Sequence, residues 1–143
     1  MRFAWGIFFT KGQKMQLTLI KNTDANTTLA YQVARTVYSQ TGASSLIAVE
    51  AITSMIKNIA DKTGMNISDI IKDKDLFQPT NISWVDANDR GFQMCVRVAQ
   101  RMLRGGLPDY VFGATKFHFA DDIPDWAVAR GYIADIDGLL FYL

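Results

Sequence analysis

Apolar positions along the chain fall into three helical stripes. Leu29, Val33 and Val37 recur every four residues behind the polar stretch 22–24, whose short side chains can cap a helix N-terminus, and the pattern stops at Gly42. Ala48, Ile52, Met55, Ile56 and Ile59 predict a second helix over roughly 46–60, opened by Ser44 or Ser45 and ended by Gly64. Glu50, Ser54, Lys57 and Asn58 fall on its other side, which reads as polar. Phe92, Cys95, Val96, Ala99, Met102 and Leu103 predict a third helix over about 88–104, begun at Asp86 and stopped by Gly105 and Gly106.

The remaining segments carry other patterns. Residues 15–21 alternate partly, as in a short strand, and 67–73 suit one or two helical turns. Pro79 prevents a continuous helix through 75–85, which reads as an irregular loop with buried aromatic anchors. Thr115 to Phe119 alternates like a strand, with Lys116 and His118 on one face and Thr115, Phe117 and Phe119 on the other. Residues 121–125 form a turn, and the closing IDGLLFYL reads as one short strand packed by Phe141 and Tyr142. Together these elements predict a mainly helical α+β domain with a small hairpin or sheet near the C-terminus.

Composition narrows the picture. The chain has 143 residues, 49% of them apolar, enough for one core, and no repeat or Pro/Gly-rich linker divides it. Residues 1–25 form an N-terminal segment and 26–143 the domain. A net charge of +1 gives no overall attraction to nucleic acid or to a membrane. The opening MRFAWGIFF is too short for a membrane span, and Lys11 and Lys14 interrupt its faint likeness to a signal peptide. Cys95 is the only cysteine and His118 the only histidine, too few for a zinc site, and Asp121, Asp122 and Asp125 lack the spacing of a calcium loop. No metal or cofactor is implied.

Few residues remain for chemistry. Cys95 and His118 could form a nucleophilic pair, but Cys95 lies on an apolar helix face, where a thiol usually serves packing. Arg90, Arg97, Arg101 and Arg104 share the face opposite the core of their helix; with so small a net charge they read as a solvated face rather than a polyanion footprint. Glu50, the only glutamate among fourteen acids, fits either a general acid or an ordinary helix-surface acid near Lys57. The stretch GATKFHFADDIPDW combines aromatic rings with a carboxylate-rich turn, which suits either sugar stacking or a packed aromatic hairpin.

Three stretches, in this order and spacing, resemble the cell-wall hydrolase family typified by the SleB spore-cortex lytic enzymes. ARTVYSQTGASSLIAVEAITSMIKN (34–58) is similar to that family's helix, Gly-containing turn and second helix; DLFQP (75–79) to its Phe-containing loop; and AQRMLRGGLPDYVFGATKFHFADDIPDW (99–126) to its helix, Pro-Asp turn, Gly-Ala-centred strand and tryptophan. IDGLLFY (136–142) fits the closing strand, so the resemblance spans about 34–142. It departs in two places: Gln40 stands where the family carries its catalytic glutamate, and no histidine occurs near Leu139.

The resemblance implies a lysozyme-like fold and a lytic transglycosylase acting on peptidoglycan glycan strands, in the cell envelope or outside the cell. One carboxylic acid protonates the oxygen between N-acetylmuramic acid and N-acetylglucosamine. It then takes the proton of the muramoyl C6 hydroxyl as that hydroxyl closes a 1,6-anhydro ring. An amide cannot do this, and loss of a general acid costs roughly 10²–10⁴ in rate. Three readings follow for Gln40: an introduced inactivating change, a natural domain that binds without cutting, or transfer of the acid's role to Glu50 or an aspartate such as Asp121. Glu50 and Ser54 are expected to support residue 40 from the second helix. Phe77, Thr115, Phe117, His118, Trp126 and Tyr142 are expected in the sugar cleft or its walls. The alternative from another class is a non-catalytic peptidoglycan-binding or phage or envelope structural protein.

Overall fold

A computed structural model describes residues 25–78 and 89–143. The expected strand at 15–21, the capping stretch 22–24, Asp86 and the second half of the 75–85 loop lie outside them. Four helices precede a small sheet: α1 (Ala25–Thr41), α2 (Leu46–Thr63), α3 (Ile67–Ile70), α4 (Arg90–Leu103), β1 (Lys116–Phe119), a 3-10 turn (Asp125–Ala127), β2 (Ala134–Ile136) and β3 (Leu139–Tyr142). The chain is α+β, as its periodicity predicts.

The helix ends follow local chemistry. Ser45 caps α2, its hydroxyl accepting from the Ala48 amide at 3.1 Å. Gly64 closes that helix with φ +74°, its N–H returning to the Ala60 carbonyl. Helix α4 starts at Arg90 rather than near 88, because Asp89, not Asp86, is its cap and accepts from the Phe92 amide. The other oxygen of Asp89 accepts from the Tyr38 hydroxyl at 2.7 Å, tying α1 to the start of α4. The rings of Tyr31 and Tyr38 pack on Phe92 across the same seam.

The apolar stripes of α1, α2 and α4 meet in one core. Val33, Val37, Ile52, Met55, Ile56, Cys95 and Met102 are buried there, joined by Ile70, Val111 and Phe141. Removing a ring as deeply buried as that of Phe141 costs ~3–5 kcal/mol.

Helix α2 corrects one expectation. Its second side is not solvated: Glu50 and Ser54 are only 8% and 2% exposed. The segment 108–114 and α4 lie across it and supply partners for its polar groups. Ser54 donates to the Pro108 carbonyl and accepts from the Tyr110 amide. One turn on, Asn58 donates to the Ala114 carbonyl and to Asp109. Another turn on, Lys62 reaches the Gly113 carbonyl at 2.6 Å. One turn back, Glu50 accepts from Arg101 at 3.2 Å. Lys57 remains outside this set and pairs with Asp61 along the helix.

The sheet is antiparallel, in the order β1-β3-β2. The C-terminal segment is therefore two strands rather than the single one expected. Asp137 and Gly138 join them with φ of +54° and +81°, the left-handed pair that a tight type I′ hairpin needs. The hairpin tip is anchored far from its own sequence: Ser44 and Ser45 both donate to the Asp137 carboxylate, at 3.2 and 2.8 Å. That carboxylate sits at the N-terminus of α2, where the helix dipole favours negative charge.

Candidate functional site

Helix α1 carries a polar stripe beside its apolar one. Gln32, Arg35, Thr36 and Gln40 follow the i, i+3, i+4, i+8 spacing of one helix face. Against this face runs the chain after α3, folded back on itself by turns: Asp73 N–H to the Ile70 carbonyl, and Leu76 and Phe77 N–H to the Asp73 carbonyl. Between the two lies a groove of about 440 Å³, lined by Gln32, Arg35 and Thr36 on one wall and by Ile71 to Lys74, Phe77 and Gln78 on the other.

Gln40 lies just beyond this groove and is bonded to Gln78, one of its lining residues. It lies one turn past Thr36 and is only 7% exposed. Its Nε2 donates to the Gln78 carbonyl at 3.1 Å and to the Ser39 hydroxyl at 3.2 Å, and its Oε1 accepts from the Gln78 amide at 3.4 Å. Both ends of the side-chain amide are thus engaged by one backbone residue, and the clamp fixes Phe77 beside it. Phe77 is buried, its ring 6.0 Å from that of Phe117, so it serves as groove floor and core anchor together.

Among the described residues the groove is lined by three cations, Arg35, Lys72 and Lys74, and one carboxylate, Asp73. Asp73 also turns Oδ1 to the Asp75 amide at 2.9 Å. Thr36 is 93% covered yet, among the described residues, its hydroxyl makes no hydrogen bond. Thr41, Thr53 and Thr63, by contrast, each bond the carbonyl four residues back.

The other expected site residues gather elsewhere. On the outer face of the sheet His118 donates from Nδ1 to the Phe119 carbonyl at 2.7 Å, which leaves Nε2 to accept from the Tyr142 hydroxyl at 2.8 Å. The rings of His118 and Tyr142 stack, and Trp126, carried on the 3-10 turn, stands edge-on to both. Lys116 Nζ lies 5.3 Å over the indole. Thr115 holds the strand edge, its N–H bonded to the Tyr142 carbonyl, while Phe117 faces inward against Phe141. Asp121 is exposed in the turn after β1. Glu50 and Ser54, expected beside Gln40, direct their bonds to Arg101 and to the 108–114 segment.

Compared with models of protein families, with curated proteins and with solved structures, the chain matches none.

Cys95 does not present a nucleophile. Its side chain is buried in the core of α4, and burial, with a lesser push from the Asp89 charge, raises the thiol to about 12. Among the described residues no three His, Cys, Asp or Glu side chains cluster to hold a metal, and no helix is long and apolar enough to cross a membrane. Gln32, Arg35, Thr36, Lys72 and Lys74 escape a reading by apolar periodicity. The signal that could have found Gln32, Arg35 and Thr36 is the polar stripe beside the apolar one on α1; Lys72 and Lys74 carry no such signal.

Proposed function

We propose that this chain is a lysozyme-like domain that binds peptidoglycan glycan strands in the cell envelope, in the groove between α1 and residues 71–78. The observation that carries this reading is the position of residue 40. The resemblance assigns it to the catalytic acid, and its side chain holds Gln78, which lines the groove. A glycan strand lying along Gln32, Arg35 and Thr36 would run towards residue 40.

Within this reading the domain has the frame of a lytic transglycosylase but binds without cutting through residue 40. The Gln40 amide has no transferable proton, and its donor and acceptor are both spent on Gln78. Glu50, the other candidate acid, is directed at Arg101 and does not line the groove.

The test is sedimentation of the chain with purified peptidoglycan, followed by mass spectrometry of the supernatant, for the native chain and for Gln40→Glu. Binding without released muropeptides is expected of the native chain. Release of 1,6-anhydro products by Gln40→Glu alone would identify a disabled transglycosylase, and binding by both without release would identify a dedicated binding domain. Equal cleavage by both chains would move the acid to another residue, Glu50 first. Failure of the native chain to sediment with peptidoglycan sinks the reading.

A further inference from the structure

We propose that Thr36 makes the groove selective for N-acetylated glycan strands over strands whose 2-amino groups are free, by bonding the acetamido group of a sugar. This rests on the glycan-strand reading above and adds a specificity-determining residue to it.

Thr36 is only 7% exposed and lines the groove, yet among the described residues its hydroxyl makes no hydrogen bond. A helical threonine can settle that hydroxyl on the carbonyl one turn back, as Thr41, Thr53 and Thr63 do. A covered polar group without a partner is costly, and a bound ligand that supplies the missing bond recovers that cost. The surroundings narrow the ligand. Ile71 and Phe77 line the same groove, so it offers apolar surface together with this hydroxyl. An acetamido group matches both: its amide can exchange a hydrogen bond with the hydroxyl, and its methyl group can lie on the apolar surface. A sugar hydroxyl uses the first and leaves the second bare. A protonated amine fits worse, because an ammonium gives up water on entering the groove and brings no methyl. Arg35 is already engaged, so the charges left to meet a ligand come from Lys72, Lys74 and Asp73. Both lysines are exposed and repel an ammonium, while Asp73 between them turns its Oδ1 to the Asp75 amide.

The experiment is titration calorimetry of the full chain with three peptide-free peptidoglycan strands of equal length: N-acetylated, chemically de-N-acetylated, and de-N-acetylated then capped with formyl groups. The acetylated strand is expected to bind about tenfold more tightly than the free-amine strand, and the formylated strand, which keeps the amide and loses the methyl, in between. Thr36→Val keeps the shape of the side chain and removes its hydroxyl. It should weaken the acetylated and formylated strands several-fold and leave the free-amine strand unchanged. It should also melt at the parent temperature or above, because no bond within the protein is lost. A merely structural threonine would instead lower the melting temperature and leave the preference intact, which would overturn the assignment. Lys72→Gln/Lys74→Gln changes two exposed side chains, so it should fold normally. It should narrow the preference by raising affinity for the free-amine strand relative to the other two, most clearly at low salt. Equal binding of acetylated and free-amine strands by the native chain would overturn this inference and leave the glycan-strand reading standing. Absence of binding to every strand would remove both.

Discussion

The side-chain amide of Gln40 and the backbone of Gln78 form a two-point clamp, with Gln40 donating to the carbonyl at 3.1 Å and accepting from the amide at 3.4 Å. A carboxylate could keep only the second of these bonds and would set a negative oxygen against the Gln78 carbonyl. Gln40→Glu should therefore lose ~1–3 kcal/mol at neutral pH, the cost of a polar group buried without its partner. Protonation restores a donor, so the native state favours the acid form and raises its pKa. The penalty is then absent below the ordinary glutamate range and grows as pH rises through it. Thermal melts of the two chains at pH 4 and pH 7 check this; the same gap at both values would count against the clamp.

A tight contact at the start of α4 gives a second expectation. A Cβ on Gly91 would lie 2.7 Å from Cβ of Ala43, which itself holds φ at +54°. Gly91→Ala should destabilise by about 1–2 kcal/mol, overpacking outweighing the gain in helix propensity. Ala43→Gly should stabilise by up to about 1 kcal/mol by relieving the left-handed backbone. It should also recover most of the loss in the double variant, a coupling visible in a double-mutant cycle of denaturant titrations. Additive effects would place the clash elsewhere.

Alkaline pH should unfold the helical layer early. Burial raises the Cys95 thiol from 9.0 to about 12, and the hydrogen bond to Asp89, then burial, raises the Tyr38 phenol from 10.0 to about 12. Both shifts favour the protonated form in the fold. Their stabilisation is complete below pH 9 and is lost as pH climbs from there towards 12. Denaturant midpoints should fall steeply between pH 9 and pH 11. Cys95 should resist an aromatic disulfide reagent at pH 8 until guanidinium is added, whereas immediate labelling of the native chain would contradict its burial.

The helices were legible because each stripe repeats at one face for several turns. The expected ends of α2 and α4 fall within a few residues of those observed, and the difference at α4 comes down to which aspartate accepts the capping bond, Asp86 or Asp89. Glu50 and Ser54 were misread because periodicity reports which side chains share a face, not what packs on it. Only the fold brings Arg101 and Pro108 there. The hairpin was legible and overlooked: Asp137–Gly138 between apolar residues is a strong turn signal, submerged in a run that also suits one strand. The site was the least legible part. Gln40 finds Gln78 across 38 residues, His118 finds Tyr142 through the register of β1 on β3, and the groove cations come from two segments that the sequence does not relate.

The bonds from Ser54, Asn58 and Lys62 to residues 108–114 end mostly on backbone atoms: the carbonyls of Pro108, Gly113 and Ala114 and the amide of Tyr110. The shape of that segment is accordingly written on α2 and on its buried Val111 and Ala114, while Phe112, at 72% exposure, is free to vary. Evolution or a designer could rewrite position 112 to change what this surface meets, with the helix continuing to hold the loop in the same path.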